Sequence, residues 1–244
     1  MRRWILNLVL LTLATPAFAT DGVLEINQTC AVQTGCFSGD TAGWPVTIDG
    51  SAGHSYRLTS DLAVGSQAGI VVNDAFVGID LNNFAIIGSG TLSGFSGVEA
   101  LGVGISVENG SVIRMGKHGV WLGDQAEVRN LRASENRMNG INVGAGSIVE
   151  GNASHANVQL GIFANNGSTV SNNTAYHNQG DGIATGLGAT VQRNTMRWNS
   201  GYGLRLESQS TYRENTITFN TLGTVTGTGV NMGDNSCNGT TTCP

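Results

Sequence analysis

From residue 119 onward, apolar and polar positions recur with a fixed period. Gly119, Gly140, Gly161, Gly182 and Gly203 stand twenty-one residues apart, each followed by an apolar residue: Val120, Ile141, Ile162, Ile183 and Leu204. Nine positions after each glycine comes Val128, Val149, Val170, Val191 or Tyr212. Four positions before each glycine from Gly140 onward stands Asn136, Asn157, Asn178 or Asn199, and Asn220 continues the series. A second asparagine column runs Asn152, Asn173, Asn194, Asn215. Four columns held in one register mark an internal repeat, and a repeat of this length points to a solenoid.

Within one unit, such as Gly161-Ile162-Phe163-Ala164-Asn165-Asn166-Gly167-Ser168-Thr169-Val170, apolar residues alternate over three or four positions before Gly or Asn interrupts them. That pattern predicts short strands separated by tight turns. If each unit is one coil, equivalent strands of successive coils lie parallel about 4.8 Å apart and their inward side chains form continuous apolar columns. The asparagines then have two uses: Asn tolerates the left-handed backbone of a sharp corner, and its amide can both donate to and accept from the same amide one coil away.

The Gly-Ile-x-Val, Ser-x-Val-x-x-Asn-x-x-x-x-Asn cadence resembles the right-handed parallel β-helix repeat of the pectate-lyase-like superfamily, over roughly residues 77 to 226. The ends resemble a group of exported bacterial β-helix proteins, through Gly39-Asp40-Thr41-Ala42-Gly43-Trp44-Pro45-Val46-Thr47-Ile48, Ser55-Tyr56-Arg57-Leu58 and Asn235-Ser236-Cys237-Asn238-Gly239. The resemblance implies an all-β fold, a right-handed single-stranded parallel β-helix of about 21 residues per coil, capped at both ends. It implies less about activity, since the superfamily includes lyases, hydrolases, epimerases and members with no known activity. Residues 61–226 are read as the helix, in seven or eight coils, with residues 89–104 as a longer loop. Segments 20–60 and 227–244 are read as caps that protect the exposed ends.

Composition agrees with a turn-rich β protein: 36 glycines, 3 prolines and 12% charged residues. Glycine at this density opposes long helices. Residues 1–19 have the form of a secretory signal peptide, with Arg2 and Arg3, an apolar run from Trp4 to Leu13, and Ala17-Phe18-Ala19 as a small-x-small cleavage pattern. The run is too short to span a bilayer, so no membrane span is expected. Without Arg2 and Arg3, ten basic residues face seventeen acidic ones, a formal charge of −7. Nucleic acid is therefore not an expected partner. The cysteines form two close pairs, Cys30 with Cys36 and Cys237 with Cys243. In an exported protein these are read as local disulfides; no metal or other cofactor is expected, because neither segment carries the further ligands a tetrahedral site needs.

A β-helix turns residues twenty-one apart into neighbours, so outward columns can be searched for chemistry. Ser134, His155, Tyr176, Arg197 and Thr218 form one such column. His155, Tyr176 and Arg197 offer a base, a proton donor and a cation, the groups a lyase or epimerase needs beside a sugar carboxylate. A second column reads Trp121, Asn142, Phe163, Ala184, Arg205, flanked by His118, Asn139, Leu160, Asp181 and Tyr202 before the glycines. Trp121, Asn142, Phe163, Asp181, Tyr202 and Arg205 together suit a sugar chain, with aromatic faces for the rings and polar groups for the hydroxyls. Paired carboxylates on adjacent steps are missing, which argues against polygalacturonase-like hydrolysis. The expected protein is a secreted or periplasmic monomer that binds or organises polysaccharide without catalysis. The alternative is a lyase or epimerase acting on an acidic glycan.

Overall fold

The computed structural model describes residues 22–49 and 54–243, so the expected signal peptide lies outside the described residues. The chain winds as a parallel β-helix with three strands per coil. A first face is a nine-stranded sheet: Val46–Ile48, Ile70–Val72, Val98–Ala100, Val120–Leu122, Ile141–Val143, Ile162–Ala164, Ile183–Thr185, Tyr202–Leu206 and Gly223–Gly227. The other strands form a second and a third face. They merge into one 17-stranded sheet because Ser106–Ile113 and Glu127–Ser134 run unbroken around the corner between them.

Nine strands on the first face mean nine coils, more than the seven or eight expected from dividing the length by the period. Two features account for the difference. Val98–Ala100 is a paired strand inside the segment expected to be only a loop, and pairing reaches into both terminal segments, from Leu24–Ile26 to Ser236–Cys237. A short helix, Gln28–Gln33, follows the first strand; Asn27 Oδ1 accepts the Cys30 N–H at 2.9 Å, and Ala31 is wholly buried in the core. Disulfides join Cys30 to Cys36 and Cys237 to Cys243.

Alternation along each strand sends every second residue inward. Val120, Ile141, Ile162, Ile183 and Leu204 make one buried column, and Val128, Val149, Val170, Val191 and Tyr212 another. Each buried aliphatic side chain contributes about 1.5–3 kcal/mol. These columns belong to one continuous core running the length of the helix.

Both asparagine columns are interior ladders. In the first, the side-chain amides of Asn136, Asn157, Asn178 and Asn199 each donate to the oxygen of the next asparagine at 2.9–3.0 Å. The second ladder runs from Asn152 through Asn173, Asn194 and Asn215 to Asn235, at 3.0–3.1 Å. The left-handed corner conformation, however, falls on the residue before each ladder asparagine: Glu135, Ala156, His177, Trp198 and Phe219 all have φ between 54° and 57°. The ladder asparagines are thus retained for their hydrogen bonds, and the strained corner is left to whichever residue precedes them.

The repeating glycines have a separate reason. A Cβ on Gly161 or Gly182 would lie 2.5 Å or 2.7 Å from the carbonyl oxygen of the matching glycine one coil on, and 2.7 Å from a ladder amide. Close approach of coil to coil, not left-handed backbone, excludes a side chain there.

Candidate functional site

The first face carries an outward column that pairing makes continuous: Thr47, Val71, Glu99, Trp121, Asn142, Phe163, Ala184, Arg205, Thr226. Trp121, Asn142, Phe163 and Arg205 therefore share one surface, about 4.8 Å per step. Trp121, Asn142, Phe163 and Tyr202 are half-buried. Ala184 is covered, so its step contributes no contact.

Charge on this face is paired. Lys117 Nζ sits 3.6 Å from the Trp121 ring centroid and 3.9 Å from Glu99. Arg205 Nε donates to Asp181 at 2.7 Å. Electrostatically the face is near neutral, with local dipoles instead of a single-sign field.

The row just before the glycines is a further coil-to-coil support, partly exposed except at Asn139. His118 Nδ1 accepts the Asn139 N–H at 3.2 Å, Asn139 Oδ1 accepts the Leu160 N–H at 3.1 Å, and Asp181 Oδ1 accepts the Tyr202 N–H at 2.8 Å. Asn139 also donates to Asn142 Oδ1 at 2.9 Å, orienting the amide on the outward column. Burial, and then the neighbouring Lys117 cation, push the His118 imidazole down to about 4, so it stays neutral and able to accept. Asp181, expected to bind ligand, thus holds backbone and Arg205 in place.

At the N-terminal end the same face opens into an apolar groove of about 780 Å³, lined by Trp44, Pro45, Val71, Phe95, Glu99 and Leu101 among others. Val71 and Glu99 belong to the outward column, so groove and column are continuous. Sequence reasoning missed this groove. The signal was weak: from Val71 to Glu99 is twenty-eight residues and from Thr47 to Val71 twenty-four, so a search at twenty-one passes over these coils.

On the third face, pairing brings Ser134, His155, Tyr176, Arg197 and Thr218 into one column, as the period requires. The Arg197 guanidinium is turned onto aromatic rings, with Cζ 3.6 Å from the Trp198 centroid and 5.1 Å from that of Phe219. Tyr176 packs edge-on against His177 at 4.3 Å and Trp198 at 5.3 Å. Smaller grooves of about 460 Å³ and 280 Å³ lie near Arg132 and Arg213. None of the three grooves has His155, Tyr176 or Arg197 in its wall.

Among the described residues, no three His, Cys, Asp or Glu side chains gather as a metal cluster. No helix among them is long and apolar enough to cross a membrane.

Comparison with known proteins places the fold. The Dettilon tailspike protein gp208 superposes with a TM-score of 0.55 at 13% identity, covering 81% of this chain and 55% of the tailspike. The chain thus spans about half the length of that protein. The A-module of the mannuronan C-5 epimerase AlgE4 from Azotobacter vinelandii gives 0.52 at 15% identity, covering 82% of this chain and 68% of the module. Among curated proteins, none matches the sequence. At such identities the superpositions speak for fold alone. The family described as a right handed beta helix region matches residues 68–243. With that match over most of its length, the chain belongs to the right-handed β-helix family.

Proposed function

We propose that this protein is an exported, non-catalytic polysaccharide-binding β-helix, and that a glycan chain lies along its first face from the Trp44 groove toward Arg205. The observation that carries the reading is the in-register outward column Glu99, Trp121, Asn142, Phe163. Two half-buried aromatic rings stand on either side of a fixed amide, on a rigid surface repeating about every 4.8 Å. Ring faces suit the apolar faces of sugars and the amide suits their hydroxyls. With Lys117 and Arg205 each beside a carboxylate, the face presents no net charge to attract or repel the polymer.

The test is affinity electrophoresis against neutral and acidic polysaccharides. Wild type is expected to be retarded by at least one neutral polymer, and Trp121→Ala with Phe163→Ala to migrate freely in it. Retardation unaffected by both substitutions would remove the first face from the reading.

A second reading, a lyase or epimerase acting on an acidic glycan, rests on the in-register trio His155, Tyr176 and Arg197. Proton abstraction beside a sugar carboxylate would need Arg197 to leave the Trp198 ring and face the substrate. Release of ultraviolet-absorbing unsaturated ends from a uronate polymer, lost in Tyr176→Phe and Arg197→Ala, would favour this reading. A product assay for C-5 inversion covers the epimerase form.

A further inference from the structure

We infer that the corner following the third face, built from Tyr176, His177, Arg197, Trp198 and Phe219, is a second binding surface, directed at acidic polysaccharide. The inference goes beyond the first-face reading and stands on different observations.

The first is a conflict between residue type and backbone. At this corner the chain needs a left-handed residue in every coil, and His177, Trp198 and Phe219 fill it with φ of 54°, 54° and 56°. Bulky side chains are disfavoured there, and Asn or Gly is the usual solution. The neighbouring corner of the same helix uses Asn109, Asn130, Gly151 and Asn172, then Arg193 and Glu214; only the present corner places three rings in successive coils. Three aromatic rings in successive coils carry a backbone cost that Asn or Gly would spare. Burial does not compensate, because Trp198 is 38% exposed and Phe219 62%.

The second is the arrangement of the rings. His177 stacks on Trp198 at 5.4 Å and 25°, and Trp198 on Phe219 at 6.0 Å and 26°. Rings stacked in this way shield one another's faces and leave their edges and the outer face of Phe219 to a ligand. Ring edges carry the positive end of the aromatic quadrupole, so they favour anions.

The third is an unpaired cation within the stack. Arg57, Arg129, Arg193, Arg205 and Arg213 each meet a carboxylate, whereas Arg197, like Arg114, Arg132 and Arg137, has no such partner among the described residues. Its Nε is buried without a hydrogen-bond acceptor. A guanidinium held by rings and lacking an anion is suited to receive one. A polyuronate presents carboxylates at regular intervals along a chain of sugar rings, which matches positive edges and one guanidinium on a straight column, with the Phe219 face free for a ring. The protein would then hold neutral polymer on one face and acidic polymer at this corner.

The experiment measures retardation of the full mature chain in gels containing polygalacturonate, polymannuronate or dextran, with single-stranded DNA as a competing polyanion. Variants are Trp198→Asn, Arg197→Gln and, for a matched loss of charge elsewhere, Arg213→Gln. Asn suits the left-handed corner, so thermal unfolding of Trp198→Asn is expected at or above the wild-type midpoint. Expected is polyuronate retardation in wild type and Arg213→Gln, weakened at least tenfold in Trp198→Asn and Arg197→Gln. The inference is overturned by wild type that ignores both polyuronates, by Trp198→Asn that binds them as wild type does, or by preference for DNA. It is equally overturned if sedimentation finds a wild-type dimer that Trp198→Asn dissociates, since a second copy would then be the occupant. Any of these leaves dextran or other neutral binding through Trp121 as a separate result.

Discussion

The side-chain oxygen of Asn178 accepts two hydrogen bonds from Asn157, the backbone N–H at 3.1 Å and the side-chain amide at 3.0 Å. Asn178 in turn donates to the Ser154 carbonyl at 3.1 Å and to Asn199 at 3.0 Å. One wholly interior side chain therefore ties three coils together. Asn178→Ala orphans the buried Asn157 N–H, at about 1–3 kcal/mol, and removes the bonds to the Ser154 C=O and to Asn199 along with the packing of a buried side chain. A loss of roughly 3–5 kcal/mol is expected in denaturant titration. Exposed Asn172, at a left-handed corner with φ 58°, should lose only about 1–2 kcal/mol as Asn172→Ala.

Glycines at the head of each coil answer to distance. In Gly182→Ala the new Cβ would meet Asn199 Nδ2 and the Gly203 carbonyl oxygen, each at 2.7 Å, and would push apart a ladder hydrogen bond. Overpacking plus the disturbed ladder predicts a loss of about 3 kcal/mol. Gly188, with φ +66° and open space around it, should accept Asn with a change within about 0.5 kcal/mol. Comparable losses at both positions would contradict this division, and thermal melts of the two variants decide it.

His118 makes the fold acid-sensitive over a defined range. Its imidazole is held down to about 4 in the folded protein by burial and by Lys117, against 6.5 when unfolded. Between those values the unfolded chain binds the extra proton, so stability falls as pH drops from about 6.5 to about 4 and levels off below. His118→Gln keeps an acceptor for the Asn139 N–H but cannot titrate. The difference in melting temperature between pH 7 and pH 4 should shrink in that variant. An unchanged difference would assign acid sensitivity to other groups.

Much of the architecture was legible because a solenoid writes itself into sequence as a period. The two ladders, the inward valines and the outward columns of both faces could be placed before any coordinate, since a fixed repeat makes each residue's neighbour the one twenty-one positions away. The reading failed where the period fails. Loops lengthen the coils around Val71 and Glu99, which hid the strand Val98–Ala100, the ninth coil and the groove beside Trp44. A period also fixes position without fixing orientation: Arg197 was correctly placed in the column of Tyr176, yet nothing in the spacing told that it lies against Trp198. Asp181 likewise occupies its expected row, but as an acceptor for Tyr202 and Arg205. Such roles depend on side-chain rotamers and on which backbone N–H lacks a partner.

Hydroxyl-radical footprinting of the protein, with and without the neutral polysaccharide that retards it most, addresses the proposed function directly. Polymer lying along the first face should protect Trp121, Phe163 and Tyr202 from oxidation while leaving Trp198 and Phe219 as reactive as before. Oxidation of Trp121 and Phe163 that proceeds unchanged in the presence of bound polymer would contradict the account.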